Sequence, residues 1–191
     1  LLDERREGFT FSAEGFVFEF PRRASRGFHA GDVVLDPFCG KGSFLVEAAR
    51  FWPGAALVGI DVDPAQLTAA AQNAAAAGAS IHLERGSATA LPLEDGSVDA
   101  VLTCPPFDRQ FAAAGGLEAL YDESFRELER VLRPDGRAAI LLDEESLDVA
   151  RRACRLPLQV LGPVPLTRHV RCALCMVYAN GTTPDAGWAT W

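Results

Sequence analysis

Positive charge is in the minority in this chain. Its 191 residues hold 18 Lys and Arg against 26 Asp and Glu, a formal net charge of -8. A domain that grips nucleic acid with its own surface is usually basic. Either another domain or subunit supplies a basic face, or the substrate is not a nucleic acid. Long apolar runs are missing too: none approaches the ~20 residues that span a bilayer, which argues against an integral membrane protein. Cysteine is sparse and scattered, at positions 39, 104, 154, 172 and 175. With no secretory context there is no disulfide framework to read, and a reduced, intracellular location is expected, cytoplasmic with the nucleus as the alternative. Cys172-Ala-Leu-Cys175 is a C-x-x-C without a second Cys/His pair nearby. On a strand its two thiols point to opposite faces, so two small core residues are favoured over a zinc site and no metal is expected. The chain opens Leu1-Leu2-Asp3 with neither an initiator Met nor a signal-peptide pattern, and reads as a domain cut from something longer. There is no internal repeat.

What is present is a soluble-domain composition, 49% hydrophobic and 23% charged, in a length that suits one domain with a real core. The chain is organised around residues 33–49. Val33, Val34 and Leu35 form the short apolar run of a strand buried on both faces. A tight turn follows from Asp36 to Gly42, and from Ser43 the period becomes helical, with Phe44, Leu45, Ala48 and Phe51 on one stripe. Strand, glycine turn and helix open a doubly wound α/β domain, whose ligands bind at the carboxyl ends of the strands. Gly40 and Gly42 permit positive φ and a close backbone approach, and the helix N-terminus behind them favours a negative group such as a carboxylate. Leu45 stands where a dinucleotide fingerprint has its third glycine, and the phosphate-binding G-x-x-x-x-G-K-[ST] is absent.

The rest of the chain continues the alternation. Phe9-Thr-Phe11 and Phe16-Val-Phe-Glu-Phe20 alternate around Ser12-Ala-Glu-Gly15, which reads as a β-hairpin with one aromatic face, serving as a packing flap. Pro21 to Arg26 is a short basic linker. Ala56–Ile60 is the next strand, ending at Asp61, where an acid can accept from both ribose hydroxyls of a nucleoside. Asp63-Pro64 already provides an N-cap and a Pro at N1, which leaves Asp61 for the ligand. An Ala-rich helix runs from Pro64 to Ala77, closed by Gly78. Ile81–Glu84 is a strand with His82 exposed, and Ser87-Ala88 lies in the turn after it. Val98–Thr103 is a strand leading into Cys104-Pro-Pro-Phe107. A long amphipathic helix spans Leu117–Leu132 and is stopped by Arg133-Pro-Asp-Gly136. Ala138–Leu142 reads as a strand, Glu144–Cys154 as a helix, and Leu158–Leu161 and Cys172–Tyr178 as the last two strands.

Asp36-Pro-Phe-Cys-Gly-x-Gly42, Gly59-Ile-Asp61, Leu91-Pro-Leu93, Ser97 to Phe107 and Arg130-Val-Leu-Arg-Pro-Asp-Gly136 together resemble a class I S-adenosylmethionine (SAM)-dependent methyltransferase. The first of these phrases is similar to the form found in THUMP-associated RNA guanine-N2 methyltransferases. The resemblance covers roughly Gly31 to Tyr178. It implies a Rossmann-like, doubly wound, mostly parallel sheet of seven strands whose last strand is antiparallel. It divides the chain into a hairpin and linker (1–30), a methyltransferase domain (31–180) and a tail (181–191). It implies that Asp36, Pro37, Phe38, Cys39, Gly40, Gly42, Asp61, Val62, Ser87 and Ala88 hold SAM. RNA would be bound by a THUMP-like domain outside this chain, and a small zinc-binding activator subunit is a further implied partner. Many related enzymes carry Asp where Ser87 stands.

Methyl transfer to an exocyclic amine is an in-line displacement that is slow because the amine lone pair is delocalised into the base. Acceptors for the N–H protons localise it, and an aromatic ring holds the base flat, a stacking worth ~1–3 kcal/mol. The amino-methyltransferase phrase [Asp/Asn/Ser]-Pro-Pro-[Tyr/Phe/Trp] supplies both, and Cys104, Pro105, Pro106 and Phe107 match it except at Cys104. A thiol is a poor acceptor, and three readings follow. The Pro105 carbonyl does most of the positioning, with Asp108 supplying the missing oxygen; or Cys104 is a nucleophile, as in cytosine-C5 methyltransferases; or the site is degraded. The first is preferred. It makes the expected activity methylation of an exocyclic amine, guanine N2 in tRNA or small RNA. The alternatives are a small-molecule methyltransferase and a non-catalytic SAM-binding scaffold.

Overall fold

The computed structural model describes residues 8–13, 16–21, 29–106, 116–165 and 171–179. Nine strands and four helices alternate along them: β1 Gly8–Ala13, β2 Phe16–Pro21, β3 Val33–Asp36, α1 Ser43–Phe51, β4 Ala56–Asp61, α2 Pro64–Ala77, β5 Ile81–Arg85, β6 Val98–Thr103, α3 Gly116–Val131, β7 Leu132–Asp143, α4 Leu147–Ala153, β8 Leu158–Pro165 and β9 Arg171–Tyr178. β1 and β2 form an antiparallel ribbon of their own. The other seven form one sheet in the order β5-β4-β3-β6-β7-β9-β8. β3, β4, β5, β6 and β7 are parallel, and β9 runs antiparallel to β7 and to β8. This is the α/β, Rossmann-like architecture expected from the sequence.

Period-two alternation on the central strands feeds two separate cores. On one face Val34, Leu57, Ala100, Leu102, Ala139 and Leu141 pack with Leu45, Ala48 and Trp52 from the α1 region. On the other, Leu35, Ile60, Val101, Ile140 and Leu142 pack with Tyr121, Phe125, Leu128 and Val131 of α3 and with Ala150 of α4. β6 is buried along its whole length.

The helix ends follow local chemistry. Asp63 caps α2 by accepting from the Ala65 amide at 2.8 Å, with Pro64 at the first turn, and Gly78 closes it at φ 65°. Three boundaries differ from the sequence reading by three residues or more: β8 runs on to Pro165 where the sequence ends it at Leu161, and the other two follow from local contacts. Arg133-Pro-Asp-Gly136 ends α3 but is absorbed into β7, where the partners of β6 jump from Val98↔Leu132 to Ala100↔Arg137. The four residues form an excursion in the strand, with Gly136 folded so tightly that a Cβ there would lie 2.9 Å from the Arg133 carbonyl oxygen. α4 starts at Leu147 rather than Glu144 because the Asp143 carboxylate takes the Ser146 amide at 3.0 Å and holds residues 144–146 in a turn.

Candidate active site

β3, β4, β5 and β6 are parallel, so their carboxyl ends gather on one edge of the sheet, and β3 lies between β4 and β6, where the strand order reverses. That reversal opens a crevice by topology alone. The Asp36–Gly42 turn leaves β3 there, Asp61-Val62 leaves β4, Ser87-Ala88 follows β5, and Cys104-Pro105-Pro106 follows β6.

The turn after β3 depends on its glycines. Gly40 and Gly42 have φ of 49° and 77°, the left-handed region that side chains rarely tolerate. A Cβ on Gly42 would also lie 3.2 Å from Ala70 Cβ. The small face of α2, with Ala70 and Ala74 buried, is what lets that helix approach. Gly42 serves α1 as its N-cap without a side-chain bond. Asn73 of α2 donates to the Lys41 carbonyl at 2.9 Å.

Asp61 is busier than the sequence suggested. Its Oδ2 accepts from the Gly40 amide at 2.8 Å and its Oδ1 from the Asp63 amide at 2.9 Å. The carboxylate therefore ties the end of β4 to the glycine turn, while each oxygen keeps a further lone pair for a ligand. The next residue, Val62, carries a large aliphatic side chain that is 62% exposed.

Asp36 is buried at the end of β3. Its Oδ1 accepts from Thr103 Oγ1 at 2.8 Å and from the Phe38 amide at 3.2 Å. Its Oδ2 is buried without a hydrogen bond. Burial pushes the carboxyl up to about 7, against the two hydrogen bonds that pull it down, and the Asp61 charge adds to the rise. Pro37 is buried and Phe38 half-buried. Cys39 points into the core rather than the crevice. It belongs to the same buried cluster as Leu45 and Leu57, and burial pushes its thiol up to about 12. Its backbone amide donates to the Ile60 carbonyl at 3.0 Å, a second tie between the turn and β4.

Ser87 Oγ is 2.8 Å from Thr89 Oγ1 and accepts from the Thr89 amide at 3.2 Å, so its hydroxyl is part of the turn, and Ala88 is buried beneath. Arg130 of α3 secures the following loop. It donates to the Leu91 and Leu93 carbonyls at 3.0 and 2.8 Å and pairs with Asp95 and Glu127. Glu127 in turn accepts the Leu91 amide at 2.7 Å.

After β6, Cys104 is half-buried against the α1-side core, Pro105 is buried and Pro106 half-buried. The Pro106 carbonyl accepts from Tyr121 Oη of α3 at 3.2 Å. Phe107 and Asp108 lie outside the described residues. Sequence reasoning placed Tyr121 only on an apolar stripe and Thr103 only at a strand end. The available signal was a hydroxyl at a position that a purely apolar residue would otherwise fill.

A switch-point crevice with a glycine turn, a strand-end carboxylate and a Pro-Pro turn defines a class, the Rossmann-like methyltransferases. The chain belongs to the UPF0020 family, the RMKL-like methyltransferase domain, which it matches over residues 24–159. Its relatives include the U6 snRNA (guanine-N(2))-methyltransferase THUMPD2 of Mus musculus, 41% identical over 118 residues, 61% of this chain and 22% of the mouse protein. Another is the demethylmenaquinone methyltransferase of Deinococcus radiodurans, 39% identical over 113 residues, 59% of this chain and 44% of that protein. Among solved structures, TrmN from Thermus thermophilus superposes with a TM-score of 0.65 at 26% identity, covering 85% of this chain and 56% of TrmN. The chain thus spans less than a quarter of the length of the mouse relative. Among the described residues, no helix is long and apolar enough to cross a membrane.

Proposed function

We propose that this domain transfers the methyl group of SAM to an exocyclic amine of an RNA base, guanine N2, as part of a longer protein. SAM is the methyl donor of the fold; when bound it supplies an electrophilic methyl group and departs as S-adenosylhomocysteine. The residues present fit such a group. Gly40 and Gly42 present bare backbone ahead of the α1 N-terminus, which suits a carboxylate. Asp61 has lone pairs for ribose hydroxyls, and Val62 offers an exposed aliphatic surface for a purine ring. Ser87 and Ala88 would line the adenine edge, and Asp36 would hold the base of the turn, with Pro37, Phe38 and the Cys39 backbone shaping it.

The observation that carries the acceptor class is the Cys104-Pro105-Pro106 turn, held at the end of β6 next to the glycine turn. Two consecutive prolines leave carbonyls and no amides to meet an amine. The target N–H groups would donate to the Pro105 carbonyl, with Cys104 beside it and Phe107 as the stacking ring. Asp108 would supply a further oxygen. A bond from nitrogen to the methyl carbon would form as the bond from sulfur to carbon breaks, and the amine proton held at the Pro105 carbonyl would leave to solvent. The similarity to THUMPD2, named for guanine-N2 methylation of U6 snRNA, supports RNA as the substrate. The net charge of -8 supports a division of labour in which a THUMP-like domain and a zinc-binding activator subunit bring the RNA.

A second reading, a small-molecule methyltransferase, is favoured by the likeness to the demethylmenaquinone enzyme and by the acidic surface. Full-length protein given labelled SAM and, in parallel, total small RNA and a demethylated quinone separates the two. The proposal expects label in the RNA alone; label in the quinone alone overturns it.

A further inference from the structure

We propose that Tyr121 is a positioning residue for methyl transfer, fixing which proline carbonyl of the Cys104-Pro105-Pro106 turn meets the target amine. The inference rests on the reading of that turn as the acceptor site.

Pro105 and Pro106 have no amides of their own, so partners outside the pair help to fix their conformation. Two buried hydroxyls do this. Before the turn, Thr103, 1% exposed, donates to Asp36 at 2.8 Å. After it, Tyr121, fully buried on α3, donates to the Pro106 carbonyl at 3.2 Å. The Tyr121 ring stacks on Phe125 with centroids 5.5 Å apart, and so cannot swing away without disturbing the α3-side core. Burial raises the phenol far above its ordinary value, which keeps the hydroxyl a neutral donor at any working pH. A phenylalanine would fill the same space, so the hydroxyl does more than pack: it reaches the Pro106 carbonyl of the turn, with the Ser146 hydroxyl facing it as well. Tyr121 engages the Pro106 carbonyl from the α3 side, which makes the Pro105 carbonyl the less engaged of the two for an arriving amine.

The test is Tyr121→Phe in the full-length protein, which removes one oxygen and keeps the ring. Two measurements are made. The first is the alkylation rate of each cysteine, followed by peptide mass spectrometry, which needs no substrate. Losing one buried hydrogen bond should raise the rate at Cys104 about three- to tenfold and leave the buried Cys39 and Cys175 unreactive. An unchanged Cys104 rate, or a parallel rise at Cys39 and Cys175, overturns the inference in favour of no role or of general loosening. The second is steady-state methylation of RNA, where kcat should fall by a similar factor while the SAM dissociation constant stays the same. A loss confined to SAM affinity also overturns it. A selective rise at Cys104 in a protein that methylates no RNA supports the anchoring and defeats the proposed substrate instead.

Discussion

Thr103 donates to Asp36 across 67 residues of sequence, and the bond links the last residue of β6 to the last residue of β3. The glycine turn begins after one of these residues and the Pro-Pro turn after the other. The proposed cofactor turn and the proposed acceptor turn are therefore braced by this buried contact in addition to the pairing of their strands, and movement in either is felt by the other.

The brace carries a pH signature. Asp36 is raised from 3.8 to about 7 by burial. Between those values the folded chain holds a proton that the unfolded chain has lost, so stability falls as pH rises from about 4 to about 7 and then levels off. For a shift of this size the effect is on the order of a few kcal/mol. Asp36→Asn cannot ionise, and its urea midpoint should vary less between pH 5 and pH 8 than that of the wild type. An unaltered slope would assign the pH dependence to other groups.

Asp61→Ala should weaken SAM binding by on the order of 1–3 kcal/mol, because it removes the ribose acceptor and also frees the Gly40 and Asp63 amides. Titration calorimetry reads this directly. Equal affinity in mutant and wild type would remove Asp61 from the site.

Gly59→Ala should destabilise the domain by roughly 1–3 kcal/mol. A Cβ there would sit 2.8 Å from Leu83 Cδ2, 2.9 Å from Leu45 Cδ1 and 3.1 Å from Cys39 Sγ. A thermal melt showing no drop would mean that Leu83 and Leu45 give way to the added methyl without cost.

Much of this was legible in the sequence. Buried parallel strands such as Val33–Leu35 are apolar throughout, the Asp63-Pro64 cap marks its helix, and the strand-end positions of Asp61 and Cys104 follow from the alternation of elements. Three things were not. Arg133-Pro-Asp-Gly136 has the composition of a stop signal, and only the pairing with β6 shows that the strand runs through it. Asp61 was expected to be left for a ligand, because a bond to the Gly40 amide is a tertiary contact that no local pattern encodes. Tyr121 looks like core on a helical stripe, since a sequence gives the stripe and not the carbonyl that the hydroxyl reaches.

The departure at Cys104 has its own expected outcome. With Cys104 as a positioning residue, Cys104→Asn restores the usual acceptor and should preserve or raise methyl transfer. Cys104→Ala should lose little if the Pro105 carbonyl does most of the work. Phe107→Ala should lose more, since stacking on a base is worth ~1–3 kcal/mol. Labelled-methyl incorporation into RNA ranks the three. Complete loss of transfer in Cys104→Ala together with Cys104→Asn would mean that the thiol itself reacts.

The most direct test is the identity of the methylated nucleoside. Full-length protein, with its activator subunit where it has one, is incubated with SAM and small RNA, and the digested RNA is read by nucleoside mass spectrometry. The account predicts N2-methylguanosine, with the yield falling steeply as salt is raised because the RNA is held through its phosphates. A 5-methylcytidine product, or a covalent adduct trapped through Cys104 on a 5-fluorocytidine substrate, would contradict it.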